Sequence, residues 1–122
     1  MAGDVSVAVV DDDPSALEAL AGLVRALGFH ATCFACAEDL LRAAPFDIDC
    51  LLSDLRMSGL SGLELAGRLA HASRPVPTVI VTAYADDIAP GAAAQAGVVA
   101  ILVKPVRPDD LEAAIRRAIA RT

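Results

Sequence analysis

The sequence predicts one α/β domain, a doubly wound parallel sheet of five strands with helices on both faces. Three observations lead there. Short apolar, often β-branched runs alternate five times with stretches whose apolar residues recur at helical spacing. No repeat, linker or low-complexity segment interrupts the alternation. Finally, 56% of the residues are hydrophobic but only 3% aromatic, and the dominance of Ala, Leu and Val suits helices packed closely on a sheet. The 122 residues fit a single domain spanning 1–122, long enough to bury roughly two-thirds of its unfolded surface.

Taken in order, Val5-Ser6-Val7-Ala8-Val9-Val10 reads as a buried first strand that breaks at Asp11-Asp12-Asp13-Pro14. Asp13 before Pro14 is a helix start, the carboxylate as N-cap and proline at the first helical position. Leu17, Leu20, Ala21, Val24 and Leu27 then recur at helical spacing up to Gly28, a natural stop. His30 to Phe34 is a more polar strand, expected at a sheet edge. Ala37 to Ala44 is a short helix with Cys36 at its N-cap and Pro45 at its end. Cys50 to Ser53 form a third strand that delivers Asp54 to its C-terminal tip, and turn formers lead into a helix from Leu63 to Ala70. Pro75-Val76-Pro77 breaks the chain before a fourth strand, Thr78 to Thr82. The fourth helix, within Asp86 to Gly97, should be short and weakly held, since Pro90-Gly91 interrupts it and its apolar face is almost wholly alanine. Ala100 to Val103 is a fifth strand ending at Lys104-Pro105, and Leu111, Ala114, Ile115, Ala118 and Ile119 mark the last helix.

Charge and composition narrow the function. A net charge of −6 and a pI near 4.6 argue against direct nucleic-acid binding, and Arg116, Arg117 and Arg121 read as a solvated helix face. Met1-Ala2-Gly3-Asp4 has no basic leader character, and no apolar run approaches the roughly 20 residues of a membrane span. A cytoplasmic protein without membrane contact is expected, and in that compartment the three cysteines are not expected to pair. Cys33 and Cys36 do form a C-x-x-C, with His30 and Cys50 as further conceivable ligands. Their placement on a strand and at a helix N-cap disfavours metal or redox use.

Right-handed crossovers bring the C-terminal ends of parallel strands to one rim, where open α/β sheets bind their ligands. That rim carries Asp11 and Asp12 after the first strand, Asp54 after the third, Thr82 after the fourth and Lys104 after the fifth. Singly, each has a structural excuse as cap, strand residue or surface charge. Together they suit phosphoryl chemistry. Clustered carboxylates repel one another, and Mg²⁺ relieves this by taking a few carboxylate oxygens while bridging to a phosphoryl oxygen. A carboxylate can accept a phosphoryl group covalently, and the transfer asks chiefly for positioning and charge neutralisation.

With Val9-Val10-Asp11-Asp12-Asp13, Ser53-Asp54-Leu55-Arg56-Met57, Val81-Thr82-Ala83 and Lys104-Pro105 in that order and spacing, the chain resembles the receiver domain of two-component response regulators over essentially its whole length. Asp-Leu-Arg-Met and Val-Ile-Val-Thr-Ala-Tyr are most similar to the nitrogen-fixation (FixJ-type) group. The resemblance implies a CheY-like, flavodoxin-like sheet of order 2-1-3-4-5. It implies a phosphorylation-activated switch of a phosphorelay rather than a turnover enzyme, with only self-catalysed phosphoryl transfer and autodephosphorylation of its own. Asp54 would be the phosphoacceptor. Mg²⁺ would be held by Asp12, Asp54 and the backbone carbonyl of Arg56, with Asp11 assisting through a water. Thr82 would bind a phosphoryl oxygen and Lys104 would pair with the phosphoryl group, its bond to Pro105 being cis. The implied partners are a histidine kinase and an output domain or downstream protein, together with a phosphorylation-dependent homodimer through the fourth helix and fifth strand.

Three residues depart from the family pattern, and one of them, Cys36, stands where relatives often have Ser, which supports its N-cap reading over a metal one. Ser58 stands where Pro is frequent, which predicts a looser loop after Asp54. Ile101 stands where Tyr or Phe is usual, which bears on the aromatic rotation that accompanies movement of Thr82. Tyr84, the single tyrosine of a chain without tryptophan, is expected at the rim, where its ring could shield an acyl phosphate. A pseudo-receiver that binds partners without using phosphate is the competing reading, supported by Ile101 and the irregular fourth helix. A flavodoxin-like cofactor binder would need a glycine-rich phosphate loop after the first strand, where acidic residues stand instead.

Overall fold

The alternating pattern folds as a three-layer sandwich in the computed structural model, which describes residues 5–43 and 47–120. In chain order the elements are β1 (Ser6–Val10), α1 (Pro14–Ala26), β2 (His30–Phe34), α2 (Ala37–Arg42), β3 (Cys50–Asp54), α3 (Gly62–Ala70), β4 (Thr78–Thr82), α4 (Ala92–Gln95), β5 (Val98–Val103) and α5 (Pro108–Ala120), with a 3-10 turn at Ala85–Asp87 between β4 and α4. Every strand pair is parallel, and the order is β2-β1-β3-β4-β5. This is the expected doubly wound, flavodoxin-like arrangement.

The unbroken apolar run of β1 reflects burial on both faces. Val7 and Val9 share a core with Leu20 and Val24 of α1 and Leu111 and Ile115 of α5. Ala8 and Val10 belong to a second core with Leu40 of α2 and Leu65 and Leu69 of α3. Leu52 and Leu51 of β3 divide between the two cores in the same way, and each fully buried leucine contributes about 1.5–3 kcal/mol. The edges differ. On β2, His30, Thr32 and Cys33 are exposed, as its polar composition predicted. On β5, Val99, Ala100 and Leu102 pack against the α1/α5 core, while Ile101 and Val103 are 36% and 57% exposed. The other face of β5 is thinly covered because α4 has four residues and buries none of them.

Local chemistry sets the helix starts that flank the sheet's carboxyl edge. Asp13 caps α1, accepting from the Ser15 amide at 3.0 Å, with Pro14 at the first turn. Ser61 and Glu64 close a reciprocal capping box on α3, at 3.1 and 2.9 Å. Cys36 takes the N-cap position of α2, but its side chain makes no cap hydrogen bond.

Some boundaries differ from the sequence expectation. β3 runs one residue past Ser53 and takes in Asp54, which pairs with Val81, so the carboxylate stands at the strand tip as expected. α3 begins at Gly62. β5 begins at Val98, because a register shift beside Thr78 and Val79 lets the strand start two residues earlier. The fourth helix is short, as expected, and opens at Gly91, whose φ of 82° is a backbone conformation glycine adopts without strain. Asp86 and Asp87 fall in the 3-10 turn instead. The expected end of α2 at Ala44 and Pro45, the leader reading of Met1 to Asp4, and Arg121 lie outside the described residues. Among the described residues, no helix is long and apolar enough to cross a membrane.

Candidate functional site

The sheet register brings the rim residues together. Val10 pairs with Ser53 and Asp54 with Val81, so the residues after β1 stand beside the end of β3, while Thr82 pairs with Val103 just before Lys104. Asp11 is fully buried, Asp54 partly buried and Asp12 exposed. One carboxylate oxygen from each lies within 4.8 Å of the others. Lys104 closes the cluster: its Nζ donates to Asp11 Oδ2 at 3.2 Å and to Asp54 Oδ2 at 3.4 Å. The Lys104–Pro105 bond is cis, as the resemblance implied.

Three carboxylates and one ammonium leave an excess of negative charge at the rim. Burial, then the neighbouring Asp11 charge, raise the pKa of Asp54 above the ordinary carboxylate value against the opposing pull of Lys104 and the Leu55 amide. For Lys104, burial pulls the pKa down, but the hydrogen bond and charge of Asp11, joined by Asp54, outweigh it and the net shift is upward. A convergent set of hard oxygen donors with surplus negative charge matches the preference of Mg²⁺. The donor set therefore fits this ion, and the cluster has the make-up of the Mg²⁺ pocket of receiver domains.

Other side chains around the rim were less legible. Ser58 was expected to loosen the loop after Asp54, and the structure corrects this: its backbone N–H donates to Asp12 Oδ2 at 3.1 Å, with its hydroxyl at 3.5 Å from the same oxygen. A proline there would have no N–H to give, so serine ties the loop to β1's acidic end. Gly62 permits an unusually close approach. A Cβ at this position would sit 3.1 Å from the carbonyl carbon of Asp54, nearer still to its oxygen, and 3.0 Å from Cδ1 of Ile80. Thr82 is fully buried, and its Oγ1 accepts from the Tyr84 amide at 2.9 Å. Tyr84 is at the rim as expected and 50% exposed. The Arg56 guanidinium stacks over its ring, 3.7 Å from the centroid, and pairs with Asp87. From sequence, the resemblance implies a role for Arg56 only through its backbone carbonyl.

The cysteines stand apart from this rim. Cys33 is exposed on β2, Cys36 is intermediate, and Cys50 is buried in β3 with its thiol pushed up to about 12, by burial first and then by the Asp49 charge.

Comparison with known proteins agrees with the geometry. A family model described as the response regulator receiver domain matches residues 7–116. Response regulator protein TmoT of Ectopseudomonas mendocina is 36% identical over 112 residues, covering 91% of this chain and 51% of that protein. Transcriptional regulatory protein FixJ of Bradyrhizobium diazoefficiens is 38% identical over 112 residues, covering 91% of this chain and 55% of that protein. The chain spans about half the length of the curated relatives it matches. Among solved structures, that of FixJ-N aligns with a TM-score of 0.86 at 31% identity, covering 98% of this chain and 96% of the other. The response regulator StyR aligns with a TM-score of 0.86 at 36% identity over 97% of this chain and 60% of that one.

Proposed function

Because the chain belongs to the response regulator receiver domain family, we propose that it is a phosphorylation-activated switch that accepts a phosphoryl group from a histidine kinase onto Asp54. The observation that carries this reading is the convergence of Asp11, Asp12 and Asp54 within 4.8 Å, with the Lys104 ammonium 3.4 Å from Asp54. Asp54 has one carboxylate oxygen bonded to Lys104 and the other accepting the Leu55 amide at 2.8 Å, which fixes its orientation at the strand tip.

In the transfer, an Asp54 oxygen attacks the phosphorus of a phosphohistidine while the N–P bond breaks. The electron pair of that bond leaves with the imidazole, and Asp54 becomes an acyl phosphate. Lys104 holds its proton throughout, and its charge meets the phosphoryl oxygens. Mg²⁺ would supply the remaining positive charge around those oxygens. Asp12, Asp54 and the backbone carbonyl of Arg56 would hold the ion, with Asp11 acting through a water. Thr82 Oγ1 would turn from the Tyr84 amide to donate to a phosphoryl oxygen. Attack of water on the phosphorus returns the Asp54 carboxylate and inorganic phosphate, which ends the signal.

The whole chain, 1–122, acts in this reading as one cytoplasmic receiver unit. The signal passes to an output domain or downstream protein. A homodimer formed on phosphorylation through α4 and β5 would cover Ile101 and Val103, the exposed apolar residues of β5. With a net charge of −6 the unit itself would not bind nucleic acid. The test is phosphorylation by acetyl phosphate with Mg²⁺, followed by intact mass. The parent should gain one phosphoryl group and Asp54→Asn none, and equal labelling of the two would remove Asp54 as the nucleophile.

A further inference from the structure

Arg56 lies two residues past Asp54, yet its side chain crosses to the segment after β4. Its guanidinium carbon is 3.7 Å from the Tyr84 ring centroid, and Nη2 pairs with the carboxylate of Asp87 in the 3-10 turn. A planar guanidinium can stack on an aromatic face and bond a carboxylate at once, whereas an ammonium cannot do both in this way. The stacked residue is also the one whose amide N–H, 2.9 Å from Thr82 Oγ1, occupies that hydroxyl. A chain of contacts thus runs from the loop after Asp54, through Arg56 and Tyr84, to Thr82.

The surroundings give this contact unusual weight. Neither the 3-10 turn nor α4 contains a buried residue, so little apolar burial anchors the segment after β4. An exposed ion pair contributes little to a well-packed protein. Here it is joined to a cation–π stack and restrains a segment with few other ties. We propose that Arg56, Tyr84 and Asp87 form a latch that holds the segment after β4 in its resting position and keeps Thr82 engaged with the Tyr84 amide. Release of the latch accompanies the turn of Thr82 toward the phosphoryl group. The proposal rests on the phosphoacceptor reading above and assigns the Arg56 side chain and Asp87 a positioning role that is separate from metal binding. The backbone carbonyl of Arg56 survives any substitution of its side chain.

The sign follows from linkage. A contact made only in the resting state opposes binding of a phosphoryl mimic, so removing it tightens that binding by the same factor. The affinity of the metal-loaded protein for beryllofluoride, measured by calorimetry, should rise about two- to fivefold in Asp87→Asn, the range expected for one exposed ion pair. Amide exchange at Tyr84 to Ile88 should quicken in the metal-free variant, Asp87→Glu should restore parent behaviour, and Arg56→Gln with Asp87→Asn should fall short of the sum of the single effects. If the parent binds beryllofluoride and Asp87→Asn binds it no more tightly, the latch is wrong while the phosphoacceptor reading stands. A parent that binds no beryllofluoride overturns both.

Discussion

Gly62→Ala is the most demanding test of how Asp54, the proposed phosphoacceptor, is held. The added Cβ would lie 3.1 Å from the carbonyl carbon of Asp54 and 3.0 Å from Cδ1 of Ile80, and the nearer obstacle, the Asp54 carbonyl oxygen, is backbone that cannot swing aside. Restoring van der Waals separation requires a shift of about 1 Å. β3 is hydrogen-bonded to β1 on one side and β4 on the other, whereas the start of α3 is anchored by its cap. Most of the displacement therefore falls on α3 and on the loop that carries the Arg56 carbonyl. Overpacking of this kind costs about 3 kcal/mol, and the better helix propensity of alanine offsets less than about 1 kcal/mol of it. With an unfolding entropy of about 2.1 cal/mol/K per residue, a net loss of about 2–3 kcal/mol lowers Tm by roughly 8–12 °C. Labelling by acetyl phosphate at limiting Mg²⁺ should slow on the order of tenfold, since ångström shifts of a positioning group weigh heavily on rate. Thermal melts and time-resolved intact mass measure the two effects, and parent-like values of both would refute the reasoning.

Two further predictions concern stability. Thr78 is fully buried and its Oγ1 has no hydrogen-bond partner among the described residues, so Thr78→Val, which keeps the shape and removes the unpaired hydroxyl, should stabilise by about 1–2 kcal/mol; a lower melting temperature would refute this. The raised pKa of Asp54, caused first by burial and then by Asp11, means that the folded state holds this proton more tightly than the unfolded chain does. Stability is therefore lost as pH rises from the ordinary value near 3.8 through the raised one, and the loss is complete once the pH has passed it. Metal-free Asp54→Asn should melt above the parent at pH 7, with the gap closing below about pH 4, and a gap independent of pH would contradict the assignment.

Much of the sheet could be read from the chain because each central strand is apolar on both faces and each helix except α4 has one apolar stripe. The bounds of β2 and β4 agree with the sequence reading. The edge of β5 was harder, since its early start depends on a register shift against β4 that no local pattern records. The acidic rim was legible for a topological reason: parallel strands deliver their last residues to one place. The Arg56–Asp87 pair was not. Its partners are 31 residues apart, both are exposed, and surface charges follow no periodicity that could link them. At Ser58 the stiffness that proline would bring is not the deciding property. What matters at that position is the N–H that proline lacks, donated to Asp12.

The Arg56 stack also has an optical consequence. The chain has one tyrosine, no tryptophan and three phenylalanines, so its intrinsic emission above the weak phenylalanine band comes from a single ring. That ring lies 3.7 Å from a guanidinium carbon and follows Thr82 by two residues. Any rearrangement that lifts the cation from the ring changes the surroundings of the molecule's sole strong fluorophore. The unmodified protein thus carries its own reporter at the junction between the loop after Asp54 and the segment after β4, free of background from elsewhere in the fold.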